Sequence, residues 1–239
     1  FMKKNKNLII KNADWSFRGT VVKNFDYHIN KSIPLYKETH RLYSYLSDYF
    51  LEEDTNIVDI GCSTGKLTKA MIEYNQDHCS KGRYIGIEIA EGFYKDLEKR
   101  ADELDKYEVD FILDDIRNYE FMNCSLVTSI FTLQFMPKKD RKEVICNIYE
   151  GLNEGGAFIF SEKTICESAL IQDMITFNYY DYKRKTFTTD DIMDKERTLR
   201  NMMKPNTWDE IVDMLKESGF TNVQPFWRNH AFVGALGIK

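Results

Sequence analysis

Between residues 56 and 163 the chain alternates short β-rich runs with longer helical patterns, and this alternation restricts the fold more than any other feature. Runs at 56–62, 83–89, 109–115, 126–132 and 156–163 are separated by stretches long enough to cross back over a sheet. Parallel neighbours need such crossovers, and these are right-handed, so the pattern predicts βαβ units on a parallel sheet. Helices are predicted to begin near Gly65 and near Glu91, with a third over 138–152 ending at an Asn153-Glu154-Gly155-Gly156 turn. Beyond Lys163 the aromatic and charged stretch 174–200 has no strand signal and reads as a lid. Thr207 then caps a helix to Ser218, with Gly219 as its stop. Two further β-rich runs, 223–227 and 231–238, flank Arg228-Asn229-His230 and predict an antiparallel hairpin at the sheet edge.

A length of 239 residues suits one substantial core. The chain reads as one domain, 1–239, with an N-terminal cap at about 14–52 and a helical insert at about 164–206. The formal charge of −5 excludes a broad basic face for nucleic acid, so direct nucleic-acid binding is not expected. Apolar runs such as 126–135 are too short for a bilayer, and the Lys-rich start lacks a signal peptide's apolar stretch. The expectation is a cytoplasmic protein with no membrane partner. Cys62, Cys79, Cys124, Cys146 and Cys166 form no CxxC pair, which points to reduced thiols and to no metal site. Phe1, ahead of Met2, reads as an addition to the chain.

The sharpest local motif is Val58-Asp59-Ile60-Gly61-Cys62-Ser63-Thr64-Gly65, an apolar strand delivering a glycine-bearing turn into a helix. Gly61 and Gly65 permit unusual dihedrals and close approach of backbone to a ligand, and Asp59 can hold the turn or a ligand amino group. A plain tight turn is the alternative. Glu88 ends the next run, 27 positions beyond Gly61, near the roughly 20-residue spacing of a ribose-binding carboxylate. Ile89 follows it. Asp115 ends the third run, placed to accept from an adenine amino group while Ile116 packs on the ring. Ligands of open α/β sheets lie outside the carboxyl ends of the strands, so acids at successive ends form one geometric argument.

Ordered blocks carry a resemblance: Asp14-Trp15-Ser16-Phe17, Ser32-Ile33-Pro34-Leu35-Tyr36, the Gly61 turn, Asp115-Ile116-Arg117, Phe131-Thr132-Leu133-Gln134-Phe135, Ile148-Tyr149-Glu150-Gly151-Leu152-Asn153 and Ser161-Glu162-Lys163. Together they resemble S-adenosylmethionine (SAM)-dependent methyltransferases of class I, and most closely the carboxy-S-adenosyl-L-methionine synthases. Those enzymes convert SAM and prephenate into a carboxylated SAM used in tRNA wobble-uridine modification. The resemblance implies a Rossmann-like α/β fold, a mostly parallel seven-stranded sheet with an antiparallel last strand plus a helical cap. It implies SAM as cofactor and a homodimer as the assembly. It also implies that Tyr36, Gly61, Cys62, Ser63, Glu88, Ile89, Asp115 and Ile116 contact the nucleoside.

Two positions depart from the synthases. Ungapped matching over 195–203 puts Glu196 where they carry an arginine for the product's extra carboxylate, and Ile130 stands where they carry an asparagine. A desolvated carboxylate without its cation costs roughly 2–5 kcal/mol, so carboxylated SAM is expected to bind poorly unless Arg197 or Arg200 takes over. The leading expectation is methyl transfer to a small-molecule acceptor. The synthase reaction and a non-catalytic SAM-binding regulator are the alternatives. Tyr180, Arg197 and Arg200 are the candidate substrate-binding residues, within an aromatic set that includes Tyr179, Tyr182, Phe187 and Trp227. No catalytic residue is assigned; His28, Tyr36, Asp181 and His230 are the candidates for a base.

Overall fold

The computed structural model describes residues 25–77 and 82–239. The Asp14-Trp15-Ser16-Phe17 block, the start of the cap and Cys79 lie outside the described residues. Seven strands form one sheet: β1 (Asn56–Ile60), β2 (Arg83–Glu88), β3 (Val109–Leu113), β4 (Cys124–Ile130), β5 (Leu152–Lys163), β6 (Asn222–Asn229) and β7 (Phe232–Ile238). Their order is β3-β2-β1-β4-β5-β7-β6, and β7 runs antiparallel to both of its neighbours. The chain order therefore reverses between β1 and β4, the place where such sheets open a crevice.

Alternate side chains of each strand enter opposite cores. Val58, Ile85, Val127 and Phe158 pack with Ile145, Ile148 and Leu215, which come from α5 (Lys138–Gly151) and α8 (Trp208–Glu217). Ile57, Tyr84, Leu126 and Ile159 face the other way, onto Tyr43 of α2 (Tyr36–Ser47) and Leu67 and Met71 of α3 (Lys66–Asn75). Both faces are covered, which is why these strands read as nearly continuous apolar runs. Following β2, a short turn of helix at Glu91–Phe93 leads into α4 (Tyr94–Glu103).

The predicted strands overshoot the observed ones at β1 to β4 because their last residues leave the sheet to shape the ligand end. Gly61 (φ 67°) and Phe131 (φ 56°) both turn away in the left-handed region. At β5 the correction runs the other way. The strand already starts at Leu152, and Asn153-Glu154-Gly155-Gly156 is an irregular strand entry rather than a turn, with the β4 register shifting between Cys124 and Leu126.

The insert consists of α6 (Ala169–Arg184) and α7 (Thr189–Met202). Ser168 accepts from Ile171 N to start α6, and Thr188 with Asp191 forms a reciprocal capping box at α7. On the amino-terminal side lies α1 (Phe25–Ser32), which leads into α2. Tyr179 of α6 joins Ile33, Tyr36, Phe131 and Phe232 in a third apolar cluster, which fixes the insert and cap over the carboxyl ends of the strands. Thr207 caps α8 in a second capping box with Glu210, and Gly219 (φ 116°) ends it.

Candidate ligand site

A cavity of about 370 Å³ lies over the carboxyl ends of β1 to β4, under α1, α2 and the insert. The turn after β1 forms its floor. At Gly61 an added methyl would sit 2.2 Å from Thr132 Oγ1, so the positive φ and the close approach both demand glycine. Gly65 (φ 67°) precedes the first residue of α3 and packs against Arg100 and Phe111; it does not line the cavity.

Asp59 is 2% exposed, and its two oxygens accept from Thr68 Oγ1 at 2.9 Å and Thr128 Oγ1 at 3.0 Å. Burial pushes its pKa up to about 6 against the pull of those hydroxyls. Those bonds tie the turn to α3 and β4, and the residue also lines the cavity. Glu88 accepts from Ser63 N at 2.9 Å through Oε2 and from Ala90 N at 2.8 Å through Oε1. Burial raises its pKa, and the backbone donors oppose the shift. A carboxylate has about four lone-pair sites, so two remain for a pair of ligand hydroxyls.

Asp115 receives a forked contact from Arg117, with Nη2 at 2.6 Å, and Arg117 N donates to it at 3.0 Å. That guanidinium holds the carboxyl below the usual carboxylate range. Asp140 anchors Arg117 from α5 at 2.8 Å. Ile116 is buried beside Asp115, and Ile89 stands 65% exposed beside Glu88, apolar surface available to a flat ring. Tyr36, Cys62 and Ser63 also line the cavity. Burial drives the Cys62 thiol well above its ordinary pKa, which disfavours the thiolate.

The opposite end has a different character. Phe131, Tyr179 and Phe232 supply apolar walls, and His28, Ser32, Lys163 and Lys195 supply polar groups. Lys195 Nζ donates to Ser32 Oγ at 3.1 Å and meets His28 Nε2, while Tyr179 donates to Ser32 O at 2.7 Å. Burial lowers the Lys195 pKa to about 7. Glu196 turns away from the cavity, with Lys183 at 3.3 Å and Lys163 at 3.7 Å. Burial pushes its pKa up, but Lys163, Lys183 and Lys195 outweigh that and hold it below its ordinary value. The two lysines that pair with it are themselves lowered by burial, as one carboxylate shared among them offsets only part of their desolvation.

The predicted substrate-binding set is thus not the one gathered at the cavity. Tyr180 is half-buried outside it, and Arg197 and Arg200 are exposed and do not line it, although Arg200 lies near enough to Lys163 and Tyr180 to act on them electrostatically. Of the candidate bases, His28 and Tyr36 line the cavity. Asp181 is exposed and paired with Arg184 at 2.5 Å, and His230 is packed between Tyr179 and Tyr182. Sequence reasoning missed Ser32 and Lys195 as site residues. A signal for Lys195 existed in its spacing from Ile192 and Thr198, both on the buried face of α7.

This strand order, the antiparallel insertion and the strand-end acids around one cavity define a SAM-dependent methyltransferase domain, and a family model described as a methyltransferase domain matches residues 57–156. Among described residues no helix is long and apolar enough to cross a membrane. The chain belongs to the carboxy-S-adenosyl-L-methionine synthase family. The carboxy-S-adenosyl-L-methionine synthase of Staphylococcus epidermidis is 34% identical over 227 residues, covering 94% of this chain and 97% of the relative. That of Shewanella baltica is 32% identical over 232 residues, covering 95% and 93%. In structure, an O-methyltransferase family protein from Burkholderia thailandensis superposes with a TM-score of 0.64 at 14% identity, over 92% of this chain and 60% of its own, and so shares the fold.

Proposed function

We propose that this chain transfers the methyl group of SAM to a small-molecule acceptor held beneath the α6–α7 insert. The observation that carries the reading is one continuous cavity with two chemically distinct ends, strand-end acids at one and an apolar wall with Lys163 and Lys195 at the other. SAM, when bound, supplies a methyl group activated by its positive sulfur. Glu88 takes the ribose hydroxyls, Asp115 the adenine amino group, Ile89 and Ile116 the ring faces, and Asp59 with Gly61 the turn beneath. Tyr36, Cys62 and Ser63 close the cavity around the nucleoside. Lys195, whose pKa burial lowers to about 7, either pairs with an anionic acceptor or takes its proton. Orientation of two bound reactants is worth about 7–11 kcal/mol, so the residues need do little else.

A second reading, formation of carboxylated SAM, is favoured by the name its relatives carry, carboxy-S-adenosyl-L-methionine synthase, and by one structural fact. Glu196 is not among the residues that line the cavity and is held by Lys183 and Lys163, and Lys163 and Lys195 stand at the cavity wall where an arginine is missing. Mass spectrometry separates the two. With SAM and prephenate present, SAM remains unchanged under the first reading; a carboxylated sulfonium product overturns it. SAM binding with no turnover across a broad acceptor screen would instead favour a regulator.

We further propose that residues 1–239 act as a single unit and that the protein is a cytoplasmic homodimer without direct nucleic-acid contacts. Leu170, Met174 and Phe177, all more than 60% exposed along one side of α6, support self-association. Among the described residues Cys62, Cys124, Cys146 and Cys166 form no disulfide. Sedimentation of the purified chain tests the dimer.

A further inference from the structure

Acids stand at the ends of β3 and β2, and Asp59 lies in β1 next in the row. A SAM molecule whose nucleoside spans Asp115 and Glu88 therefore extends its amino-acid portion over β1. There α2 presents two rings, Tyr36 and His40, with centroids 4.6 Å apart. His40 lines the cavity, yet it is not among the positions that the family resemblance assigns to the ligand.

The imidazole is poorly provided for by the protein. Its Nε2 is shut off from solvent, and no described residue offers it a hydrogen bond. A buried polar group left without a partner costs about 1–3 kcal/mol, so such a ring at a cavity wall calls for an explanation. The charged groups around it are already engaged. Asp26 of α1 pairs with Lys66 Nζ of α3 at 2.8 Å and accepts from Thr64 Oγ1 at 3.2 Å. Asp59 is held by Thr68 and Thr128. Burial keeps the His40 ring neutral down to about pH 4, so near pH 7 it has one N–H to give.

A ligand carrying both an ammonium and a carboxylate must sort them between these neighbours. The ammonium is drawn to the acid of β1, and the carboxylate, repelled there, needs a donor on the facing helix. We propose that His40 is a binding residue for the amino-acid end of SAM, its imidazole donating to the α-carboxylate beside Tyr36. This rests on the SAM-binding reading of the same cavity.

Calorimetry on the full chain tests it with two probes. S-Adenosylhomocysteine keeps the amino-acid end, whereas 5′-methylthioadenosine shares the nucleoside and sulfur but lacks that end. His40→Leu is expected to weaken S-adenosylhomocysteine about tenfold and to leave 5′-methylthioadenosine within about twofold, and His40→Gln, which keeps an N–H donor, recovers most of the loss. Unchanged S-adenosylhomocysteine affinity, or an equal loss for both probes, overturns the proposal. Should His40→Leu not fold, imidazole NMR of the unaltered protein decides: the His40 resonances must shift with S-adenosylhomocysteine and not with 5′-methylthioadenosine, and identical responses overturn it. Failure of the unaltered chain to bind either probe would refute the SAM reading itself.

Discussion

The acid that ends β2 holds the turn that ends β1: Glu88 Oε2 accepts the backbone N–H of Ser63 at 2.9 Å. One side chain thus shapes the glycine turn and presents its remaining lone pairs to the ligand. Glu88→Ala is expected to lower affinity for S-adenosylhomocysteine by more than about tenfold, since charged hydrogen bonds are worth about 1.5–3 kcal/mol each. Titration calorimetry reads this out, and Glu88→Gln, which keeps an acceptor for one of the two backbone donors, should fall between.

At Gly61 the backbone and its neighbour both refuse a side chain. Gly61→Ala places a methyl 2.2 Å from Thr132 Oγ1 at a φ of 67°. Stability in urea should drop by at least about 2 kcal/mol, and Thr132→Ala should restore only part of it because the dihedral remains unfavourable.

Glu196 is the shared counter-ion of a buried lysine cluster, so replacing it with the arginine of the synthases should not install a carboxylate reader. Glu196→Arg puts a further cation beside Lys163 and Lys183 and should cost at least about 3–5 kcal/mol by urea unfolding, the price of breaking a buried pair. A stable Glu196→Arg protein that binds carboxylated SAM more tightly would contradict this.

Glu162 is 6% exposed, and burial pushes its pKa up to about 8 despite Arg141 nearby. Its ordinary value is 4.5, so between pH 4.5 and 8 the native chain keeps a proton that the unfolded chain has lost. Stability from this group is therefore present at low pH and is lost as pH rises through that window. Glutamine cannot titrate. Relative to the unaltered protein, Glu162→Gln should gain about 2–3 kcal/mol between pH 5.5 and pH 7.5, measured by urea unfolding at both values.

The sheet was legible because strands covered on both faces leave dense β-branched runs, as in Val58 and Ile60 or Ile85 and Ile87. Strand ends were less so, since Ile89, Phe131 and Thr132 continue the apolar pattern into loops. Glu88 and Asp115 could be picked out because the fold itself places them at strand ends. His28, Ser32 and Lys195 come from helices far apart in the chain and meet only after folding. The one local cue to such a lysine is its spacing from Ile192 and Thr198, and the exposed Arg197 and Arg200 on the same helix stand out more in the sequence.

The place of β7 between β5 and β6 also bears on how the molecule is made. Until 232–238 dock, β5 exposes an unpaired border that carries Phe158 and Phe160, and closing it joins segments about seventy to eighty residues apart. Such a border recruits other strands when left open. A chain cut after Ala231 would accordingly keep the strand-end acids and the β1 turn, lose Phe232 from the cavity wall, and collect in inclusion bodies: solubility in this protein is decided at a seam whose last pair, Lys163 and Phe232, also walls the cavity.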